Sequence, residues 1–491
     1  MLNQFLLTSQ DIIKNAARLD DAIRAARFLG ELCWKNSIGC YQLIDLENHL
    51  AERFAAEFEM QAKQILAQAQ TKTKIPYVHV LTKAYDTGGH TKVVERFIAS
   101  QALRASAVVV TEKAQANCQL RLAKAAHGLH TFPAKLSPHA KITRLLEHFA
   151  NAETVVLHIH PNDIETALAA LLARRWFGTS IFFYNHADHV FSYGYASADQ
   201  VLELSYFGWT LAQRRGTDSK AHFVGIPLNL PEVASAVPTK EQSAQSEHAQ
   251  EKQLANNSNE QKRTAYLASS GSPYKFKPSQ GFSFPQVALE LCQKSGLAMT
   301  LVGPHPWRDW WWWKPRLSLG QSLRFTGKLQ YQDYLDCITH ATAYIDSFPM
   351  TGGTSFSEIL CQGVPCFGIL TGAHGYSPAD QLKSADQTSM IQDVLRHLDH
   401  PQVVREKIAQ LQHEVRQAHA LEIVAGRIVH LKNHPQDRQA PPWRNPVPVD
   451  TTFYEKIWQS QTLFSPPVHS RPDWKIGIAF LRLWWNKKKL G

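Results

Sequence analysis

Residues 342–369 read TAYIDSFPMTGGTSFSEILCQGVPCFGI. The apolar run reaching Phe348 predicts a buried strand, Gly352 and Gly353 a loop, and the pattern from Thr354 onward a helix. In that order a helix N-terminus, with its unpaired N–H groups and partial positive charge, faces whatever sits at the strand's end. A diphosphate suits such a place, because small glycines let phosphate oxygens approach the main chain. The Thr354 and Ser355 hydroxyls add donors, and Glu358, one turn into the helix, could accept hydrogen bonds from ribose hydroxyls. An ordinary strand, turn and helix with Thr354 as N-cap has the same local pattern, so neighbouring segments must decide.

Three further stretches carry candidate chemistry. Lys275, in YKFKP at 274–278, follows a strand-like run; at the C-terminal edge of an open α/β sheet its ammonium could neutralise a departing diphosphate, although a plain surface lysine would look the same. Gly88 and Gly89 separate the strand IPYVHVL from a helix beginning near Thr91, so an acceptor or pyrophosphate could come close to the backbone there. His90 stands beside them. YNHADHVFSYG, residues 184–194, closes the strand SIFFYNHAD and puts His186, Asp188 and His189 at a sheet edge. An imidazole so placed could take an acceptor proton or bond to a sugar hydroxyl, which makes His186, Asp188 and His90 the candidate catalytic groups. With 23 histidines in the chain, each has ordinary packing as its alternative.

These groups need a scaffold that gathers strand ends. Leu, Ile and Phe at three- and four-residue intervals predict a helical segment over residues 1–72. From there β-branched runs alternate with amphipathic segments (IPYVHVL, ASAVVVT, ETVVLHIH, SIFFYNHAD, HFVGIPL) across residues 73–230, the pattern of a parallel sheet covered by helices on both faces. Residues 231–263 are Gln-, Ser-, Ala- and Glu-rich with almost no large apolar side chain and read as a polar linker or insertion. The alternation restarts over residues 264–434 (TAYLASSG, LAMTLVG, SLRFTG, TAYIDSF, VPCFGIL). Two successive α/β units are expected. A chain of 491 residues with 44% hydrophobic side chains has the material for two or three domains.

The string D-S-F-P-x-T-G-G-T-S-x-x-E-x-L-x-x-G-V-P resembles the donor-binding segment of GT-B glycosyltransferases, most closely the catalytic half of O-GlcNAc transferase and SPINDLY-type enzymes. YKFKP is similar to the lysine-bearing Y-K-x-x-P turn of that group, LRFTGKLQYQDYLDCITHATAYIDSF to the stretch before its donor loop, and DTGGHTKVVERF at 86–97 to the N-domain glycine loop common in GT-B enzymes. The likeness is specific over about residues 264–372, moderate over 75–100 and weak elsewhere, and no tetratricopeptide repeats precede it. It implies an α/β GT-B fold: two Rossmann-like domains facing a cleft, an N-terminal acceptor domain at 73–230 and a C-terminal nucleotide-sugar domain at 264–434. It further implies a donor site of Lys275, Thr351, Gly352, Gly353, Thr354, Ser355 and Glu358, with Gly88 and Gly89 as a cleft loop. The activity implied is transfer of a hexose or N-acetylhexosamine from a nucleoside diphosphate, UDP favoured, to a hydroxyl of a glycan, lipid-linked or protein acceptor. A nucleotide-sugar epimerase of the same architecture and a non-catalytic glycan- or membrane-binding scaffold are the alternatives. Many retaining GT-B families place two glutamates around the donor helix, seven residues between them. Here Met350 stands eight before Glu358, a departure that favours an inverting displacement. No cofactor is expected and no metal, since the family generally needs none and no His, Cys and Asp cluster has ligand spacing.

Composition points to partners. Lys plus Arg number 52 against 42 Asp plus Glu, a net +10 that favours anionic partners. Seven scattered cysteines with no C-x-x-C argue against a disulfide frame or zinc site and for a reducing, cytoplasmic setting. The start, MLNQFLLTSQDIIKN, does not read as a secretory signal, and no run approaches the ~20 apolar residues of a spanning helix. Residues 435–491 are Pro-punctuated and end in WKIGIAFLRLWWNKKKLG, a basic amphipathic tail suited to an anionic membrane surface, and equally to packing on the fold. HPWRDWWWWKPRL at 305–317 adds a tryptophan cluster. Trp310, Trp311, Trp484, Trp485, Lys487 and Lys488 are accordingly the expected membrane or acceptor contacts, at the inner face of the cytoplasmic membrane. No RNP-like, zinc-finger or helix-turn-helix pattern points to nucleic acid.

Overall fold

Most strand-forming runs in this chain are largely apolar without alternation, as strands buried on both faces must be. In the computed structural model they make two parallel sheets. The described residues are all but 70–72, 87–88, 134, 232–264, 445–447, 461–464 and 491; of 454, 458–460 and 487–490 only the backbone is described. The stretch expected as a linker at 231–263 lies outside the described residues from 232 onward.

The first sheet holds β1 (Ile75–Leu81), β2 (Ser106–Val110), β3 (Gly128–Thr131), β4 (Ala152–His158), β5 (Ser180–Tyr184), β6 (Gln200–Glu203) and β7 (Ala221–Phe223), in the order β3-β2-β1-β4-β5-β6-β7. The second holds β8 (Tyr266–Ser270), β9 (Ala298–Val302), β10 (Leu323–Gly327), β11 (Ala343–Ile345), β12 (Cys366–Ile369) and β13 (Lys383–Ser384), in the order β10-β9-β8-β11-β12-β13. In both, the order reverses beside the first strand, between β1 and β4 and between β8 and β11. Open α/β sheets bind ligands in the crevice outside the strand ends at such a reversal. The segments that follow these four strands carry Gly89 and His90, His160, Lys275, and the glycine loop, and His158 is the last residue of β4.

One boundary differs from the sequence reading. β11 stops at Ile345 rather than Phe348, because Asp346 and Ser347 turn their side chains back on the loop: Asp346 Oδ1 accepts the Gly352 N–H at 2.9 Å and Ser347 Oγ donates to the Met350 carbonyl at 2.9 Å.

Helices Leu2–Lys14, Leu19–Asn36 and Ile44–Ala69 cover one face of the first unit. Helix Ile164–Phe177 lies between them and the sheet, which explains why every residue from Ile164 to Ala173 is buried. A charged cluster pins this layer: Arg27 pairs with Glu112 and, at 3.0 Å, with Glu165, while Lys141 meets Asp163 at 2.8 Å. Two later helices return to the first unit, a crossing that sequence order does not reveal. Val424, Ala425, Ile428 and Leu431 of helix Leu421–Asn433 pack with Tyr77, Val93 and Phe97. From helix Trp474–Leu490, Ile476, Phe480 and Leu483 enter the same core as Phe5.

Candidate active site

A cleft of about 1030 Å³ opens between the two sheets' strand ends, and an adjoining lobe of about 390 Å³ shares His90 and His186 with it. On the second unit, Lys275 sits in the single turn Pro273–Phe276 after β8, and the loop after β11 carries Thr351 to Ser355. The two meet directly, since Lys275 Nζ donates to the Thr351 carbonyl at 3.1 Å. Burial lowers the Lys275 pKa, against the pull of Asp346. Lys275, Thr351, Gly353, Thr354 and Ser355 all line the cleft.

Why the loop has two glycines is visible in its contacts. A Cβ on Gly352 would come within 2.6 Å of Asp346 Oδ1 and 2.7 Å of Ser355 Oγ; one on Gly353 would come within 2.9 Å of the Tyr376 ring. The Gly352 N–H is thus spent on Asp346 and is not offered to an anion. Helix Thr354–Cys361 begins at an N-cap, Gly353, with no side-chain cap, and its first N–H groups border the cleft.

Under the loop lies a charge row that motif reading missed. Lys383 Nζ stands 2.8 Å from both Asp346 Oδ2 and Asp380 Oδ1, and Asp380 Oδ2 accepts from the N–H groups of Gly375 at 2.6 Å and Tyr376 at 3.0 Å. All three side chains are buried. Burial works against the Lys383 charge, but the two carboxylates outweigh it and raise its pKa. Asp346 was legible in the D-S-F-P string; Asp380 and Lys383 gave no local signal.

Glu358 has a different setting from the one expected. It is 5% exposed, and its Oε1 accepts from Arg96 Nη2 of the first unit at 2.8 Å and from Tyr331 Oη at 2.7 Å. The carboxylate joins the two units beside the cleft.

The first unit's wall is built of histidines. His90, in the first turn of helix Gly89–Ala99, stacks on His186 with ring centroids 4.0 Å apart. His186 Nε2 lies 2.8 Å from His158 Nδ1, and His158 Nε2 lies 3.0 Å from His79 Nδ1, a row of imidazoles running from the cleft into the core. Burial holds His79 and His90 down to about 3, and burial together with neighbouring imidazoles keeps His158 and His186 well below the ordinary histidine value. All are neutral at neutral pH. Asp188 also lines the cleft, but both its oxygens are engaged, Oδ2 by Ser205 Oγ at 2.6 Å and Oδ1 by His189 Nδ1 at 3.2 Å. His79 and His158 were missed; the signal available was histidine on the two strands flanking the order reversal.

Other expected contacts lie elsewhere. Gly88 falls outside the described residues, and Gly89 is exposed on the cleft wall. Trp310 is exposed away from the cleft, whereas Trp311 packs against the second sheet's core, because the ring Trp312 beside it is wholly buried there. Trp484 packs against the first unit's core and Trp485 is exposed. The side chains of Lys487 and Lys488 lie outside the described residues.

Comparison with solved structures places this arrangement. Alr3699/HepE of Anabaena, solved with UDP and glucose, superposes with a TM-score of 0.51 at 11% identity, covering 72% of this chain and 99% of that one. A glycosyltransferase from Rickettsia africae gives 0.51 at 11%, covering 74% and 100%. HepE with UDP alone gives 0.51 at 12%, covering 73% and 100%. No protein-family model matches the sequence, and no curated protein matches it. The likeness is one of fold: two facing Rossmann-like domains with parallel sheets, the GT-B architecture.

Proposed function

We propose that the chain is a glycosyltransferase that moves a hexose or N-acetylhexosamine from a UDP-sugar to a hydroxyl acceptor. One observation carries the reading: a lysine and an uncapped helix N-terminus, from neighbouring strands at the order reversal, meet across the cleft from a wall of neutral imidazoles. HepE, with which the chain shares its fold, has been crystallised with UDP and with UDP-glucose, which supports a nucleoside diphosphate at the equivalent cleft.

In this reading the acceptor oxygen attacks the anomeric carbon while the bond from that carbon to the diphosphate oxygen breaks. The negative charge growing on the diphosphate is met by Lys275, the N–H groups that open helix Thr354–Cys361, and the hydroxyls of Thr354 and Ser355. These take the place of a metal ion. The acceptor's proton passes to His186 Nδ1, since Nε2 is committed to His158. A bound diphosphate raises the proton affinity of both Lys275 and His186 by proximity of negative charge. Asp188 orients His189 and the Ser205 turn.

We further place the enzyme in the cytoplasm, at an anionic membrane face, in glycan synthesis. Among the described residues no helix is long and apolar enough to cross a membrane. Helix Trp474–Leu490 carries two apolar stripes: Ile476, Phe480 and Leu483 are buried, while Trp474, Ile478, Leu481 and Trp485 are exposed in a file at four-, three- and four-residue steps. The outer stripe with Lys475 and Arg482 matches an interfacial helix. Changing Leu481 and Trp485 to serine leaves the packed stripe intact and should abolish sedimentation with anionic liposomes; undiminished sedimentation removes this part.

The central test is a thermal-shift screen of UDP, GDP and CDP sugars followed by product analysis with and without acceptor. A ligand bound only by the native state raises its melting temperature, so a UDP-selective shift and acceptor-dependent UDP release are expected. Isomerised sugar without acceptor would make it an epimerase, and no shift with any nucleotide sugar would leave only a scaffold.

A further inference from the structure

The lobe beside the cleft is closed by parts of the chain that belong to neither sheet. Trp34 comes from helix Leu19–Asn36, and His469 from the segment that leads to the last helix. That segment is fastened down. Glu31, fully buried, accepts the N–H groups of Val468 at 2.7 Å and His469 at 2.9 Å and the Ser470 hydroxyl. Asn36 exchanges hydrogen bonds with Ser465, at 3.2 Å as donor to its carbonyl and at 3.1 Å as acceptor from its N–H. The result is a strap laid across the first unit, with the Trp34 and His469 rings stacked at 6.4 Å between centroids.

Much of the remaining wall is aromatic or imidazole, with Pro161, Ala187 and Val190 between the rings. Tyr85 stacks on His160 at 6.4 Å, and His90 meets His160 edge-on at 5.9 Å. Burial, with Lys83 nearby, brings His160 down to about 4, so His160 and His90 are neutral rings. Each has one N–H and one bare nitrogen. Lys83, beside His469, is ion-paired with Glu112 at 3.5 Å. A pyranose complements such walls: its C–H face stacks on a ring, and each of its hydroxyls both donates and accepts. A phosphate or carboxylate does not, because these imidazoles carry no charge for it. The volume, about 390 Å³, is at the small end of ligand pockets.

We propose that this lobe is the acceptor subsite, that it takes a neutral hexopyranose, and that Trp34 and the 465–470 strap determine its specificity. The inference rests on the transferase reading, and the test separates the two. Saturation-transfer NMR is run on the full chain with UDP present, using methyl glycosides of glucose, galactose, mannose and N-acetylglucosamine as probes, with methyl glucuronide and a Ser/Thr peptide as comparisons. At least one neutral glycoside should receive saturation and the two comparison probes none. Trp34→Ala should cut that signal about five-fold and Trp34→Phe restore most of it, while the UDP-induced melting shift is the same in all three proteins. His469→Ala should weaken the signal less. Absence of saturation at every neutral glycoside, or an undiminished signal in Trp34→Ala, overturns the subsite. If UDP gives no shift even in the wild type, the transferase reading fails while the glycoside signals still decide what the lobe binds.

Discussion

The two walls of the cleft are made from opposite materials. The second unit's wall is held by full charges: Asp346, Lys383 and Asp380 in a buried row, with Lys275 reaching over the glycine loop. The first unit's wall is held by rings without charge, from His79 through His158 and His186 to His90. The buried carboxylates hold the N–H groups of Gly352, Gly375 and Tyr376 in place, while Lys275 and the uncapped start of helix Thr354–Cys361 above them favour an anion. Neutral imidazoles offer paired donors and acceptors, which fit hydroxyls and can receive a proton. In the proposed reaction the contrast puts the leaving diphosphate on one side and the acceptor on the other, and each half of that proposal can be broken separately.

The largest effect is expected at Lys383. Lys383→Met leaves two buried carboxylates without their counter-ion, a loss of about 3–5 kcal/mol when one partner of a buried ionic network is removed. Chemical denaturation should show that loss, and UDP affinity should fall with it because the carboxylates that anchor Gly352 and Tyr376 lose the ammonium that holds them together. A variant of wild-type stability would show that the row is incidental. Next comes Lys275→Ala, which removes one leaving-group contact without unpairing a buried acid; turnover should drop at least ~10²-fold with melting temperature little changed. Near-normal turnover would dissolve the charged wall's role.

How much of this was legible follows from the same contrast. Part of the charged wall is local in sequence: Thr351 to Ser355 lie in one string and Lys275 in a short turn of recognisable type, so reading along the chain reached them, whereas Asp380 and Lys383, farther along, carry no motif. The neutral wall and its adjoining lobe are assembled from helix Leu19–Asn36, β1, helix Gly89–Ala99, β4, the end of β5 and the strap at 465–470. Only strand order brings these together, and strand order is not written locally. His186 and His90 could be picked out because they follow strands. His158 and His79 lie within strands, where a histidine reads as packing. Glu358 shows the limit from the other side: its place one helical turn after the glycines was read correctly, but the Arg96 that engages it comes from another unit. Trp311 failed in the reverse sense, for a run of tryptophans gives no phase to say which ring turns inward.

A smaller effect distinguishes the walls by pH. His79 and His90 at about 3 and His160 at about 4 stay neutral in the folded protein, whereas in the unfolded chain each takes a proton near 6.5. Below that value the unfolded state binds more protons, so stability is whole above about 6.5 and declines as pH falls. Each such histidine contributes about 1.4 kcal/mol per pH unit. On the charged wall the directions differ: burial raises Asp346, while Asp380, despite burial, is held below the ordinary value by Lys383. Urea midpoints should therefore fall between pH 7 and 5.5, and His79→Phe should flatten that slope. An unchanged slope would mean these rings are charged.

The smallest effect probes how the neutral wall works. Each neutral imidazole has a single N–H, so the two bonds of the row, His186 to His158 at 2.8 Å and His158 to His79 at 3.0 Å, must run in one direction. If His186 donates from Nε2, its Nδ1 is bare and ready for the acceptor's proton, and His158 keeps accepting once that proton arrives. His158→Phe removes the partner that holds this tautomer. Turnover should fall about ten-fold, a fraction of what general-base catalysis supplies, with the KM for donor unchanged. His158→Gln, whose carbonyl oxygen can still accept, should recover part of it. Equal rates in both variants and the wild type would mean that the row only packs, and that the proton leaves by another group on the cleft wall.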